Sequence, residues 1–283
     1  MEITSAQNPR IKHLLALQQK SAFRRCEGLF VVEGQRELEH CLAAGYELDS
    51  IFLCPEIASA ADTVKPVDEL LSSLSSSGLL VASPLGSRPE TYTVPPALYE
   101  KIAYRSGTEG VVAVVRQRSL SLADLQLSDS PLIVVLESVE KPGNLGAVLR
   151  SADAAGADAV IVCDALTDLY NPNLIRSSIG AVFTVPTVAC SSEECIAFLQ
   201  ERHIRILTAQ LQDSSLYYDT DMSRGVALVM GTESTGLTRQ WRQAADAHIR
   251  IPMLGRLDSL NVSVSAAILL FEAVRQRQLL NNG

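Results

Sequence analysis

Ser259-Leu260-Asn261 stands directly before an apolar run, residues 262–270, and joins two good helix-capping side chains to a helix-compatible segment. A helix that starts there leaves several backbone N–H groups without partners, which suits an electron-rich ligand. Taken alone, the pattern is better explained as an ordinary helix cap. Two other polar loops give it company. Residues 137–150 and 231–236 each follow an apolar, strand-like run, and open α/β sheets gather ligands at the carboxyl ends of their strands.

The first of these loops invites comparison with a dinucleotide site, because a glycine-containing turn is followed by Asp164 about 20 residues on. Gly143 and Gly146 lack the third glycine at the required spacing, so a nicotinamide enzyme is disfavoured. Asn144 and Arg150 are six apart across the expected loop-to-helix junction, with Arg150 flanked by apolar Val148, Leu149 and Ala152. From there Arg150 can reach back toward the mouth of a site, although a lone arginine on an amphipathic helix is more often a surface residue. In the second loop, Gly231 and Gly236 permit close backbone approach of a ligand, and Glu233 either orders the loop or accepts from ligand donors. A tight turn would explain the same glycines.

Such loops need a scaffold. From residue 131, strand-like runs at 132–136, 159–163, 182–185, 204–208, 226–230 and 248–251 alternate with helical stretches at 145–155, 172–179 and 192–201. That alternation predicts an α/β domain with a mostly parallel sheet covered on both faces. Upstream, Asn8-Pro9 opens a helix on which Ile11, Leu14 and Leu17 recur near helical spacing. Strands are expected at 29–32, 51–54, 79–82 and 110–115, and helices at 35–44, 67–74 and 95–103, which make a smaller α/β domain. A polar, irregular stretch follows, so the expected division is a first domain over 1–118, a linker over 119–130 and a second domain over 131–283.

A hydrophobic fraction of 47% with 20% charged residues is that of a globular protein, not a disordered one. The longest uncharged apolar stretch, 262–271, is about half the length that crosses a bilayer, and no secretory leader pattern opens the chain. A cytoplasmic location without membrane contact is expected. The six cysteines include no C-x-x-C pair and mostly lie in apolar runs, so buried free thiols are expected in preference to disulfides or zinc. The four histidines have no metal-ligand spacing, and no metal is expected. The net charge of −8 argues weakly against nucleic acid, yet residues 1–25 carry Arg10, Lys12, Lys20, Arg24 and Arg25 against the single acid Glu2. Such a run is either a solvated helix face or an RNA grip.

In order along the chain, three motifs resemble those of the SPOUT methyltransferases, specifically the SpoU (TrmH) family of RNA ribose 2′-O-methyltransferases. The first is Asn144-Leu145-Gly146-Ala147-Val148-Leu149-Arg150. The second is Gly231-Thr232-Glu233 with Gly236-Leu237, and the third is Ile251-Pro252-Met253 with Ser259-Leu260-Asn261-Val262-Ser263-Val264. The likeness covers residues 131–280. More loosely, 4–9 and 30–34 resemble the small ribosomal-protein-like substrate-binding domain that many members carry.

The resemblance implies a homodimer with a deep trefoil knot at the C-terminus, S-adenosylmethionine bound by the knotted loops, and an active site at the dimer interface. By position, Gly231, Ile251 and Leu260 would hold the cofactor, lined by Thr208 and Ala209. Asn144, Arg150, Glu233, Ser259 and Asn261 would form the catalytic and RNA-facing cluster. Glu137, Glu140 and Lys141 depart from the Asp usual in the first motif, and Ser234 from the Gly usual in the second, which touches substrate choice more than chemistry. The implied reaction is in-line attack of a ribose 2′-hydroxyl on the sulfonium methyl. A guanidinium seldom gives up its proton, so Arg150 is expected to orient a phosphate and stabilise the developing alkoxide rather than act as the base. Ribosomal RNA is the expected substrate, with transfer RNA, or a non-catalytic RNA-binding or ribosome-assembly role, as the alternatives.

Overall fold

The computed structural model describes residues 1–59, 67–76, 89–104, 109–232 and 235–281. Its contacts define two units, Met1–Arg118 with Tyr170–Thr184, and Ser119–Leu169 with Val185–Gly283.

In the first unit the chain runs through α1 (Pro9–Gln19), α2 (Ser21–Glu27), β1 (Leu29–Glu33), α3 (Gln35–Ala43), β2 (Leu48–Leu53), α4 (Pro55–Ser59), α5 (Val67–Ser76), β3 (Glu90–Thr93), α6 (Pro96–Ile102) and β4 (Val111–Arg116). Asn8 starts α1 as its type dictates, its side chain accepting from the Arg10 N–H at 2.9 Å, with Pro9 in the first turn. Ile11, Leu14 and Leu17 fall on one helical face and are fully buried with Val31, Phe52, Val112 and Val114 of the sheet. The strand order is β1-β4-β2-β3, antiparallel at β1–β4 and β4–β2 and parallel at β2–β3. The edge strand β3 escapes sequence reading because only Tyr92 of its four side chains is buried. The strand expected at 79–82 lies outside the described residues.

The second unit begins with β5 (Leu132–Glu137), α7 (Pro142–Ala154) and β6 (Ala159–Cys163). Between β6 and β7 come α8 (Pro172–Ser178) and α9 (Ala181–Thr184), which belong to the first unit. Then follow β7 (Thr187–Cys190), α10 (Ser192–Glu201), β8 (Arg205–Ala209), β9 (Ser215–Leu216), β10 (Val226–Met230), α11 (Arg239–Ala244), β11 (Ala247–Arg250) and α12 (Val262–Asn281). The seven strands, ordered β7-β6-β5-β10-β8-β11-β9, pair in parallel throughout. Ile133, Val135, Ile161, Ala227 and Val229 bury one face against Phe198, Leu199 and Trp241 of α10 and α11. The alternate residues Val134, Leu136, Val160, Val162 and Leu228 are also buried, and α7 and α12 pack on β5, β6 and β10. Burial on both faces is why these strands read as unbroken apolar runs.

Two expectations need correction. Residues 182–185 form no strand: Val182 and Phe183 lie in the single turn α9, entered through Gly180 at φ +81, and the strand starts at Thr187. There the Phe183 ring packs 5.3 Å from Tyr46 and 6.0 Å from Phe30, so tertiary packing overrides the extended preference of a Val-Phe pair. Helix α7 starts at Pro142 rather than at 145, since proline's fixed φ suits a first helical turn. Asn144 therefore lies inside the helix.

Candidate active site

A parallel sheet sends every strand-to-helix loop out at one edge, and the three polar loops follow β5, β10 and β11 there. Each is fixed by its own chemistry.

The loop after β5 turns at Ser138, which has φ +54 and whose N–H bonds the Cys163 carbonyl at 2.9 Å. Beside it Glu137 is buried, and its carboxylate accepts from the Thr238 N–H at 2.8 Å and the Thr238 hydroxyl at 2.6 Å. That clamps the far end of the second loop to the first. The sequence marked Glu137 only as a departure from Asp. Its apolar neighbours in β5 were the available sign that the carboxylate would need buried partners.

Gly231 has a steric reason to be glycine. A Cβ built there would lie 2.4 Å from the Gly236 carbonyl carbon and oxygen, where Thr232 and Gly236 form a backbone bridge. Thr232 and Thr235 add a 2.7 Å hydroxyl contact across the same turn. Glu233 and Ser234 lie outside the described residues.

The third loop ends at Asn261, which caps α12: its Oδ1 accepts from the Ser263 N–H at 2.9 Å and hydroxyl at 2.6 Å. Because a backbone N–H only donates, this contact fixes the amide's orientation. Its Nδ2 then donates to Asn144 Oδ1 at 3.1 Å, joining positions 117 residues apart.

Gly231, Ile251, Leu260 and Ala209 line one crevice of about 380 Å³, together with Ser259. A smaller hollow of about 170 Å³ lies beside Asn144 and Lys141 and shares Gly231, Thr232 and Val262 with the crevice. Four of the five residues expected at the cofactor therefore converge. Thr208 does not line the crevice: it is fully buried, and its hydroxyl bonds His248 Nδ1 at 2.6 Å, tying β8 to β11 from within. Gln210, Asp258 and Arg242 line the crevice and were not anticipated, although Gln210 directly follows β8 at the carboxyl edge where ligands gather.

Arg150 is not brought to the Asn144–Asn261 pair. It is exposed and lines neither hollow. With both residues inside α7, a six-residue spacing means about 9 Å of rise and a different face of the helix.

S-adenosylmethionine fits this site. The volume lies in the small-molecule range, apolar Ala209, Met230 and Ile251 stand beside polar Gln210, Asp258 and Arg242, and the absence of a Cβ at Gly231 keeps the loop backbone close.

Residues 131–271 match the SpoU rRNA Methylase family, and residues 8–113 an MRM3-like substrate binding domain. A 23S rRNA (guanosine-2′-O-)-methyltransferase, RlmB, of Bordetella pertussis is 40% identical over 175 residues, covering 60% of this chain and 71% of its own. The chain belongs to the SpoU family. The RlmB of Escherichia coli K12 is likewise 40% identical, over 60% of this chain and 72% of its own. Among solved structures, an RNA 2′-O ribose methyltransferase is similar at a TM-score of 0.81 and 37% identity, covering 98% of this chain and 100% of its own. An AdoMet-bound rRNA methyltransferase from Sinorhizobium meliloti gives a TM-score of 0.83 at 29% identity, over 97% of each chain.

In this SpoU chain the basic run divides in two. Lys12, Lys20 and Arg25 are exposed, and Arg10 is exposed while paired with Glu90 at 2.8 Å. Arg24 corrects the expectation: only 2% exposed, it donates to the carbonyls of Leu17 at 2.6 Å and Gln18 at 3.1 Å. It ties α2 to the end of α1 and is not presented to a phosphate.

Proposed function

We propose that the chain methylates the 2′-hydroxyl of a ribose in ribosomal RNA, a guanosine of 23S rRNA in the pattern of its relatives' names, with S-adenosylmethionine as the methyl donor. The observation that carries this reading is the crevice lined by the second and third motif loops, which shares Gly231, Thr232 and Val262 with the hollow where the first loop brings Asn144 to its partner Asn261. Bound there, the cofactor supplies an electrophilic methyl on a sulfonium, so the protein's tasks are binding, alignment and charge stabilisation.

Gly231, Ile251 and Leu260 hold the cofactor, with Ala209, Gln210 and Arg242 along its length. Asn261, fixed as a helix cap, holds Asn144 at the mouth of the hollow, where the pair orients the ribose. Ser259, in the crevice lining, faces the RNA, and Glu233 is assigned to the same catalytic cluster by its motif position alone. The Arg150 cation stabilises the oxygen as its proton leaves. Because Arg150 is exposed and does not line its own chain's hollow, a second copy of the chain supplies it, and the working unit is a homodimer. Supporting this, Val264 and Phe271 lie seven apart on α12 and are 46% and 48% exposed, while Leu254 in the third loop is 97% exposed. The deep trefoil knot implied by the family belongs to this reading, as does a cytoplasmic location. Among the described residues no helix is long and apolar enough to cross a membrane. Exposed Arg10, Lys12, Lys20 and Arg25 contact RNA phosphates.

The test is incubation of the protein with labelled S-adenosylmethionine and unmodified ribosomal or transfer RNA, followed by mass-spectrometric mapping. Label on a ribose of ribosomal RNA is expected. Label confined to transfer RNA, or carried on a base, overturns the reading.

A further inference from the structure

Methyl transfer makes no use of three cysteines that the fold brings together on the opposite side of Glu137. Cys163 is the last residue of β6 and Cys190 the last of β7, and the two are register partners in parallel strands. Cys195 comes from the first turns of α10, held in place by a capping box in which Ser191 and Glu194 exchange bonds of 3.2 and 2.8 Å. The three Sγ atoms lie within 4.8 Å of one another. Cys163 and Cys195 are fully buried among apolar side chains, and Cys190 is half-buried. A triad sealed at two corners and reachable at the third has a built interior and an entry.

Metal–thiolate bonds are about 2.3 Å long, so three sulfurs around one ion stand roughly 4 Å apart. Small χ1 adjustments would close this triad on such an ion. The donor set is all sulfur: among the described residues no fourth His, Cys, Asp or Glu joins the group. That composition disfavours magnesium, calcium and manganese, which take oxygen, and favours a soft ion. Zinc asks for four ligands, whereas monovalent copper is content with three thiolates.

We infer that Cys163, Cys190 and Cys195 form a three-thiolate site for a soft metal ion, monovalent copper being the ion that the donor set fits. Binding releases the thiol protons and joins β6, β7 and α10 through a single ion. The site is independent of the crevice, and its test does not read methyl transfer.

Reduced full-length protein is titrated anaerobically with Cu(I) against a chromogenic Cu(I) chelator, and in parallel with Zn(II) against a zinc indicator. Iodoacetamide labelling mapped by mass spectrometry reports which cysteines the metal shields. The expected result is one Cu(I) per chain, protection of Cys190 but not of exposed Cys26, and a rise in melting temperature. Cys190→Ser, at the half-buried corner, should weaken binding at least a hundredfold while its melting curve stays cooperative, and Cys26→Ser should bind like the parent. Substoichiometric copper, unchanged affinity in Cys190→Ser, or shielding of Cys26 instead of Cys190 overturns the proposal. So does tighter retention of Zn(II) than of Cu(I), or a Cys190 disulfide formed with diamide in protein that takes up no metal.

Discussion

Asn261 carries two duties that one atom each performs, and substitution separates them. Its Oδ1 caps α12 through Ser263, and its Nδ2 reaches Asn144 at 3.1 Å. Asn261→Ala removes both. The lost cap costs about 1 kcal/mol, and the exposed amide–amide bond adds about 0.5 kcal/mol. For a chain of this size such a loss lowers Tm by roughly 3–6 °C. Turnover should fall as well, by roughly 10–100-fold, because the hollow loses the group that orients Asn144. Asn261→Asp keeps the capping oxygens, and its charge suits a helix N-terminus, so its Tm should stay near that of the parent. It has no N–H to offer Asn144, so its turnover should fall nearly as far as that of the alanine variant. Differential scanning fluorimetry and single-turnover methylation under saturating cofactor read the two effects separately. Full turnover in Asn261→Asp would refute the role given to Nδ2, and an unchanged Tm in Asn261→Ala would refute the cap.

Gly231→Ala puts a Cβ 2.4 Å from the Gly236 carbonyl, so it should destabilise by about 1–3 kcal/mol and weaken S-adenosylmethionine binding roughly tenfold or more, as read by calorimetry. Arg150→Ala should abolish methyl transfer while leaving cofactor affinity within a few-fold. Co-refolding it with Asn144→Ala should restore part of the activity in mixed dimers, an outcome impossible if both residues act from one chain. In the basic run, Arg24→Ala should lower stability by about 1–3 kcal/mol by stripping two carbonyls of a charged donor. Combined Lys12→Ala and Lys20→Ala should instead leave stability unchanged while weakening RNA binding and flattening its dependence on salt.

The sheet of the second unit was legible because its strands are buried on both faces and so appear as uninterrupted runs such as Leu132-Ile133-Val134-Val135-Leu136. The loops at its carboxyl edge were legible for a related reason: polar, glycine-bearing segments between such runs have few other places to be. What the sequence hid depends on partners distant in the chain. Val182 and Phe183 read as a strand until the Tyr46 and Phe30 rings that receive Phe183 are known. Arg24 is indistinguishable from Arg25 in a basic run, and only the fold turns one inward. The three thiols are separated by 27 and 5 positions, a spacing that matches no metal motif, and strand pairing supplies the proximity.

Arg150 shows how a boundary displaced by a few residues alters a functional argument. With a helix start at 145, Asn144 belongs to a loop and a nearby arginine can be imagined bending back toward it. With the start at Pro142 the two share one rigid helix, and 3.6 residues per turn sends them to different faces. Both residues lie in the first of the three motifs, while of the two only Asn144 lines the chain's own hollow. If both act on one ribose, the proposed homodimer resolves the mismatch: a two-fold pairing over the exposed Val264 and Phe271 face would let each copy lend its arginine to the other's hollow.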